Sequence, residues 1–340
     1  MCTSQAIKPL LKPEGREQLR HSRARPFHTI YDQLNRLMTV QESVNSVNRW
    51  TQSYGYDRFG NRTTLTNGGS EASLLPTQTT PVVNSLTNRL QAITYDQAGN
   101  PSTDGSPSNS YSFDSDNRLT SCTVAGVTSS YSYDGYGRRV KKQVGSNTTV
   151  FVYDLEGKLV AEYNSTPLVS QGVEATSILT PDHLGSIRVV TDSAGNVKNR
   201  FDYMPFGEGL GAGIGSRSSG SGYSQPYGVR NRFTSKERDS ETGLDYFGAR
   251  YYLGQQARFM GVDPLMESAE LSLPQSWNRY TYVLNNPLTM IDPDGMGWVQ
   301  IGGQVGWDPE VNSQSEVDRK YPGRNARYLW VGTIGIITTG

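Results

Sequence analysis

Cysteine occurs only at positions 2 and 122 and histidine only at His21, His28 and His183. Two thiols exclude a disulfide-stapled scaffold, and so few soft ligands argue against a Cys/His zinc site, so no cofactor or metal is expected. No run of 18 or more apolar residues occurs, and so no membrane-spanning helix is encoded. The first thirty residues, MCTSQAIKPLLKPEGREQLRHSRARPFHTI, lack an apolar core after their basic positions and do not read as a secretory signal. Charge of one sign is also missing: 32 basic and 32 acidic side chains cancel, leaving no overall field to draw nucleic acid or an anionic membrane. Charged residues make up 19% of the 340 positions, and only 35% are hydrophobic, so helical bundles and coiled coils are disfavoured. What is abundant is 36 glycines, 17 prolines and 20 tyrosines.

Those residues recur in a pattern. Segments starting at Thr29 (TIYDQLNRLMTV), Tyr54 (YGYDRFGNRTTLT), Asn88 (NRLQAITYDQAGNPSTDG), Tyr111 (YSFDSDNRLTSCTVAG), Tyr131 (YSYDGYGRRVKKQVG) and Phe151 (FVYDLEGKLVAEYN) share an aromatic residue, an aspartate, two or three variable residues, Gly or Asn, then a basic residue and a strand-like run. The anchoring aromatics Tyr31, Tyr56, Tyr95, Phe113, Tyr133 and Tyr153 are 25, 39, 18, 20 and 20 positions apart, and the longest interval has room for a degenerate copy. Each unit reads as strand, turn, strand. In YSYDGYGRRVKKQV, Tyr131 and Tyr133 share a face, alternation resumes at Val140 and Val144, and Asp134 to Gly137 make the turn. One hairpin is marginal in water, so successive units are expected to pair edge to edge into an extended antiparallel all-β sheet.

The repeated Tyr-Asp pattern resembles that of RHS and teneurin-type YD-repeat shells. Three later segments resemble the RHS repeat-associated core: LTPDHLGSIRVVTDSAGNVKNRFDYMPFGE from Leu179, NRFTSKERDSETGLDYFGARYYLGQQARFMGVDPL from Asn231 and SWNRYTYVLNNPLTMIDPDGM from Ser276. The resemblance spans residues 29–296 and implies part of a cocoon-like shell, sealed by an irregular plug with short helices. It also implies a C-terminal effector or toxin held in cis, other parts of the shell, a secretion apparatus and immunity proteins as partners, and a secreted or cell-surface destination reached from the cytoplasm. A surface module that binds glycans or neighbouring cells is the alternative. Six units are too few to wind a closed cocoon, which suggests a truncated or split product.

The expected organisation is a disordered leader over 1–28, YD repeats over 29–206, a flexible Gly/Ser-rich insertion over 207–222, the core-associated plug over 223–296 and a variable tail over 297–340, either linker or truncated effector. The insertion, GEGLGAGIGSRSSGSG, fits no phosphate-loop pattern.

Two Asp-Pro pairs carry the candidate chemistry. Self-cleaving members of the family use two DPxGL-like motifs, and the resemblance assigns those roles to Asp263 in VDPLMES and Asp292 in IDPDGMG, with Met296-Gly297 as the scissile bond. Here the first motif has Met266 in place of glycine and the second ends in Met296 rather than leucine. Two close carboxylates share a proton, one serving as acid while the other activates water. The same pairs also suit simple turns, and both readings stand on the sequence. Asp182, His183 and Ser186 contain triad residue types without a nucleophile elbow and read as a turn. Asp114 and Asp116 lack the rest of a calcium loop. Arg238, Asp239, Glu241, Asp245 and Arg250 are expected to form salt-bridged turns on the plug.

Overall fold

The turn of each repeat is built around its aspartate. At Asp134, Oδ1 accepts from the amides of Tyr136 and Arg138 at 2.9 Å each, Oδ2 accepts from Arg138 Nε at 2.7 Å, and the Asp134 amide donates to the Arg138 carbonyl. The fourth position takes a positive φ, 79° at Gly137 and 62° at Asn117, which is why only Gly or Asn stands there. Asp32, Asp57, Asp114 and Asp192 repeat this bonding with Arg36, Asn61, Arg118 and Asn196. At the opposite end, Asn45-Ser46 and Ala125-Gly126, all at positive φ, close two-residue hairpins of the type that matches strand twist.

The structure is a computed structural model that describes residues 27–80, 82–155, 157, 159–165, 177–224, 228–264, 269 and 273–300, with further stretches at 306–307, 319, 326–331 and 334–339. Strands β1 (Phe27–Tyr31), β2 (Leu37–Val44), β3 (Val47–Tyr56) and β4 (Arg62–Gly68) form one antiparallel sheet in chain order. A six-stranded sheet follows, again in chain order, from β5 (Ser110–Phe113), β6 (Leu119–Val124), β7 (Val127–Tyr133), β8 (Arg139–Val144), β9 (Asn147–Tyr153) and β10 (Leu159–Asn164). A third sheet joins β11 (Ile178–Pro181), β12 (Ile187–Thr191) and β13 (Val197–Arg200), and β14 (Asp202–Tyr203) pairs with β15 (Gly209–Leu210). The core-associated segment has β16 (Glu237–Arg238), β17 (Asp245–Tyr246), β18 (Tyr251–Leu253) and β19 (Arg258–Phe259) in one small sheet, and β20 (Met290–Ile291) paired with β21 (Val299–Gln300). Its helices are short 3-10 turns. In the tail, β22 (Gly306–Trp307), β23 (Ala326–Val331) and β24 (Ile334–Thr339) form a sheet in the order β22-β24-β23.

Neighbouring units are stitched by their tyrosines. The hydroxyl of Tyr56 donates to the Leu37 carbonyl, Tyr133 to Leu119, Tyr153 to Arg139 and Tyr203 to Ile187, each reaching the first strand residue after the preceding turn. The turn arginine of one unit lies over the tyrosine of the next, with Arg36 on Tyr56 at 4.9 Å, Arg118 on Tyr133 at 5.3 Å and Arg138 on Tyr153 at 5.2 Å.

The all-β antiparallel architecture is as expected, but several finer expectations need correction. The ladder is interrupted: the Tyr95 unit contributes only isolated bridges, because Pro101 begins its return strand and has no amide to donate. The long interval does hold a degenerate copy, in which Asn84 replaces the aspartate, its Oδ1 accepting from Leu86 at 2.9 Å, and Arg89 lies over Tyr95 at 5.2 Å. In β8 the buried residues are Arg139 and Lys142 rather than Val140 and Val144, since a bulge at Val140 turns the two cations to one face. The expected leader lies outside the described residues up to residue 26, and its last two positions, Phe27 and His28, already belong to β1.

Residues 207–217 are not a solvent-swept insertion, whereas 218–221 are exposed as expected. Met204 to Glu208 form a turn with the repeat's backbone bonds, Met204 N to Glu208 O at 2.7 Å and Gly207 N to Met204 O at 2.9 Å, with methionine standing where aspartate usually does. Beyond it Leu210, Ile214 and Arg217 are buried, because Arg217 neutralises Glu42 of β2 and Asp202 of β14 at 2.8 and 2.7 Å.

The core-associated segment lies between the two large sheets, with an apolar core on each side. Tyr252, Phe247, Phe259, Tyr282 and Phe233 pack with Trp50, Tyr54 and Leu37 of the first sheet; Leu244, Tyr251 and Met260 pack with Tyr111, Leu119 and Tyr131 of the second. On the opposite face of the second sheet, Val150, Val152, Val160 and Tyr163 stay exposed.

Candidate functional site

Buried charge marks where the segment meets the sheets. Asp239 accepts from Arg139 at 2.6 Å and from Lys142 at 2.6 Å, and Glu237 adds contacts to both cations at 2.7 and 3.1 Å. Burial alone would raise the Asp239 carboxyl, but the two cations hold it below the ordinary carboxylate range. Of the turns expected on the plug, Arg238 with Asp245 is an internal pair, at 2.6 Å. Asp239 pairs instead across to the repeats, and Arg250 reaches the two candidate aspartates, since a buried charge is tolerated when an opposite charge on another element pairs with it.

Asp263 follows β19 and Asp292 follows β20, and both are buried. Arg250, immediately before β18, brings one Nη2 to 3.0 Å from Oδ2 of each. Its guanidinium lies 3.7 Å from the centre of the Phe259 ring, and its Nη1 donates to the Arg279 carbonyl at 3.1 Å. Asp292 Oδ1 accepts from the Gly295 amide at 2.7 Å, which closes the turn leading to Met296. Burial pushes the Asp292 carboxyl above its ordinary value, opposed by Arg250 and assisted by Asp263. With both carboxylates ionised the trio carries one net negative charge, and one proton makes it neutral. A cavity of 20 Å³, room for about a single water, is lined by Arg250, Asp263, Asp292 and Gly297.

The structure therefore brings together the two aspartates singled out in the sequence, and Gly297 of the assigned bond lines the same cavity. Met266 of the first motif lies outside the described residues. Arg250 was missed as a member of this group; its one sequence signal is a cation set in the aromatic run FGARYYL, which once buried requires an anion. The other constellations are turns: Asp182 Oδ1 accepts from the Leu184 and Ser186 amides, Ser186 Oγ accepts from the Thr234 amide, His183 Nε2 lies 3.2 Å from the Leu288 carbonyl, and Asp114 and Asp116 bind Arg118. Among the described residues no cluster of three His, Cys, Asp or Glu side chains is arranged to hold a metal.

The combination of stitched Tyr-Asp hairpins and a segment wedged between their sheets defines a β-shell wall with its closing core. Solved structures share it: the TcdB2-TccC3 and TcdB2-TccC3-Cdc42 crystal structures match at TM-scores of 0.59 and 0.58, each over 80% of this chain and 16% of theirs, at 20% identity. No family model matches the chain. Among curated proteins it is 29% identical over 82% of its length to the tRNA nuclease WapA of Bacillus subtilis, 33% identical over 33% to the toxin subunit YenC1 of Yersinia entomophaga, and 33% identical over 34% to the toxin protein Tse5 of Pseudomonas aeruginosa. The chain is thus similar to RHS-repeat, or YD-repeat, toxin proteins in sequence and to their shell in fold. It spans 12% of the length of that WapA relative. No helix among the described residues is long and apolar enough to cross a membrane.

Proposed function

We propose that this chain is the closing portion of an RHS shell that encloses or presents a C-terminal effector for toxin delivery in interbacterial competition, and that its core cuts the polypeptide between Met296 and Gly297. Toxin subunits and nucleases among the relatives support the delivery reading, as does the apolar patch of β9 and β10, where Val150, Val152 and Val160 are exposed among the described residues, which suits contact with further parts of a shell. Secretion or delivery out of the producing cell, the rest of the shell, a secretion apparatus and an immunity protein belong to the same proposal.

The observation that carries the cleavage reading is the sharing of one Arg250 nitrogen by Asp263 and Asp292 beside Gly297. In the reaction the ionised carboxylate takes a proton from water, whose oxygen attacks the Met296 carbonyl carbon. The protonated carboxyl then gives its proton to the amide nitrogen as the carbon-nitrogen bond breaks, leaving a Met296 carboxylate and a Gly297 amine. Arg250 offsets the remaining negative charge. Intact-mass measurement of the expressed chain tests this: the wild type yields a product ending at Met296, and Asp292→Asn yields the uncut chain. Uncut wild-type chain at every pH would refute the cleavage.

A further inference from the structure

The backbone leading to Met296 is gripped at three consecutive carbonyls. Lys236 Nζ donates to the Pro293 carbonyl, the Ala249 amide to Asp294 at 2.9 Å, and Arg250 Nε to Gly295. All three donors come from one short stretch, 236–250. Lys236 is itself set rigidly: its amide donates to the Phe233 carbonyl at 2.9 Å, its carbonyl accepts from the Arg232 amide at 2.8 Å, and its ammonium sits 5.3 Å from the Phe247 ring centre. The approach is close enough to exclude side-chain carbon. A Cβ on Gly248, at φ +98°, would lie 2.8 Å from the Asp294 oxygen, and one on Gly295 would lie 3.0 Å from the Arg250 amide nitrogen.

Ordinary turns close on themselves. This one, besides its internal Asp292–Gly295 bond, is held from outside, carbonyl by carbonyl, as far as Gly295, as a cleft holds an extended substrate. A groove of 710 Å³ is lined by Lys236, Gly248, Asp294 and Met296.

We infer that residues 236–250 form a built-in substrate clamp that fixes the Met296-Gly297 peptide against Asp263 and Asp292, and that Lys236 is a positioning residue for the cut. The inference rests on the cleavage reading above. Lys236 acts through geometry by anchoring the Pro293 carbonyl, one residue from Asp292. It also acts through charge, because its cation opposes the rise of the Asp292 carboxyl, which faces Arg250, Asp263, Lys236 and Tyr282.

The test follows cleavage of the full chain by intact mass across pH in the wild type and in K236M, K236R and G248A, with thermal melting of each. The clamp predicts that K236M cuts about tenfold more slowly or worse, as expected for a misplaced reacting group, with its pH profile displaced upward. K236R restores most of the rate, and G248A slows the cut without displacing the profile. K236M cutting at the wild-type rate with an unmoved profile, while the wild type yields its Met296 product, overturns the clamp alone. A wild type that never cuts overturns the cleavage reading and the clamp with it. Should K236M fail to melt cooperatively, G248A decides: a wild-type rate in that variant overturns the clamp.

Discussion

The hydroxyl of Tyr133 donates to the backbone carbonyl of Leu119 at 2.7 Å, across the seam between two consecutive repeats. Tyr133→Phe keeps the ring under Arg118 and removes this bond together with the hydroxyl's interaction with Tyr251. The expected cost is about 1 kcal/mol, the worth of one net intramolecular hydrogen bond, read from the midpoint of urea unfolding with an unchanged slope. No loss of stability would mean that packing, not the stitch, joins the units.

Asp134 separates the side chain's two tasks. Asp134→Ala removes both amide acceptors and the Arg138 pair, and is expected to cost about 2 kcal/mol, as loss of a helix cap does. Asp134→Asn keeps an acceptor oxygen for the amides and should cost less than half as much. Equal costs in denaturant titrations would contradict the assignment of the turn to the Oδ1 bonds.

Asp239 is the partner of two buried cations, Arg139 and Lys142. Asp239→Asn leaves them undercompensated and should destabilise the protein by about 3–5 kcal/mol. Replacing Arg139 and Lys142 by Met in that background should recover a good part of the loss. The check is a double-mutant cycle by chemical unfolding, and simple additivity would argue against the pairing.

Glu208 gives a pH signature. It is buried, Gln78 donates to its Oε1, and burial lifts its pKa to about 7, opposed by Arg62. The folded state therefore holds the proton more tightly than the unfolded chain. Stability from this group is full at pH below about 4.5, where both states are protonated, and falls as pH rises toward 7. The full change amounts to about 3 kcal/mol, since each pKa unit is worth about 1.4 kcal/mol. Glu208→Gln should flatten the stability profile between those limits; an unaltered profile would place the titration elsewhere.

Much of the wall was legible because its signals are local. Aspartate, a residue tolerant of positive φ three positions on, and Arg or Asn at the fourth are enough to write one turn, and Asp32, Asp57, Asp114 and Asp134 all obey. The Met204–Glu208 turn escaped notice because backbone bonds alone define it once methionine removes the carboxylate. RRVKKQV reads through its alternation at Val140 and Val144, since the acids that bury Arg139 lie about a hundred positions away. The two aspartates were found through their Asp-Pro motifs, whereas the role of Arg250 depends on bringing β18 beside the turns after β19 and β20, which no spacing encodes.

The seam bonds run only to the adjoining repeat, while the docking bonds run to fixed partners far along the chain. A whole hairpin gained or lost between Glu42 and Lys142 would therefore keep every seam intact and still misplace one of the two anchors, Arg217 on Glu42 or Asp239 on Lys142. That stretch acts as a ruler cut to one length, and a change in the number of hairpins is confined to strands outside the two anchors.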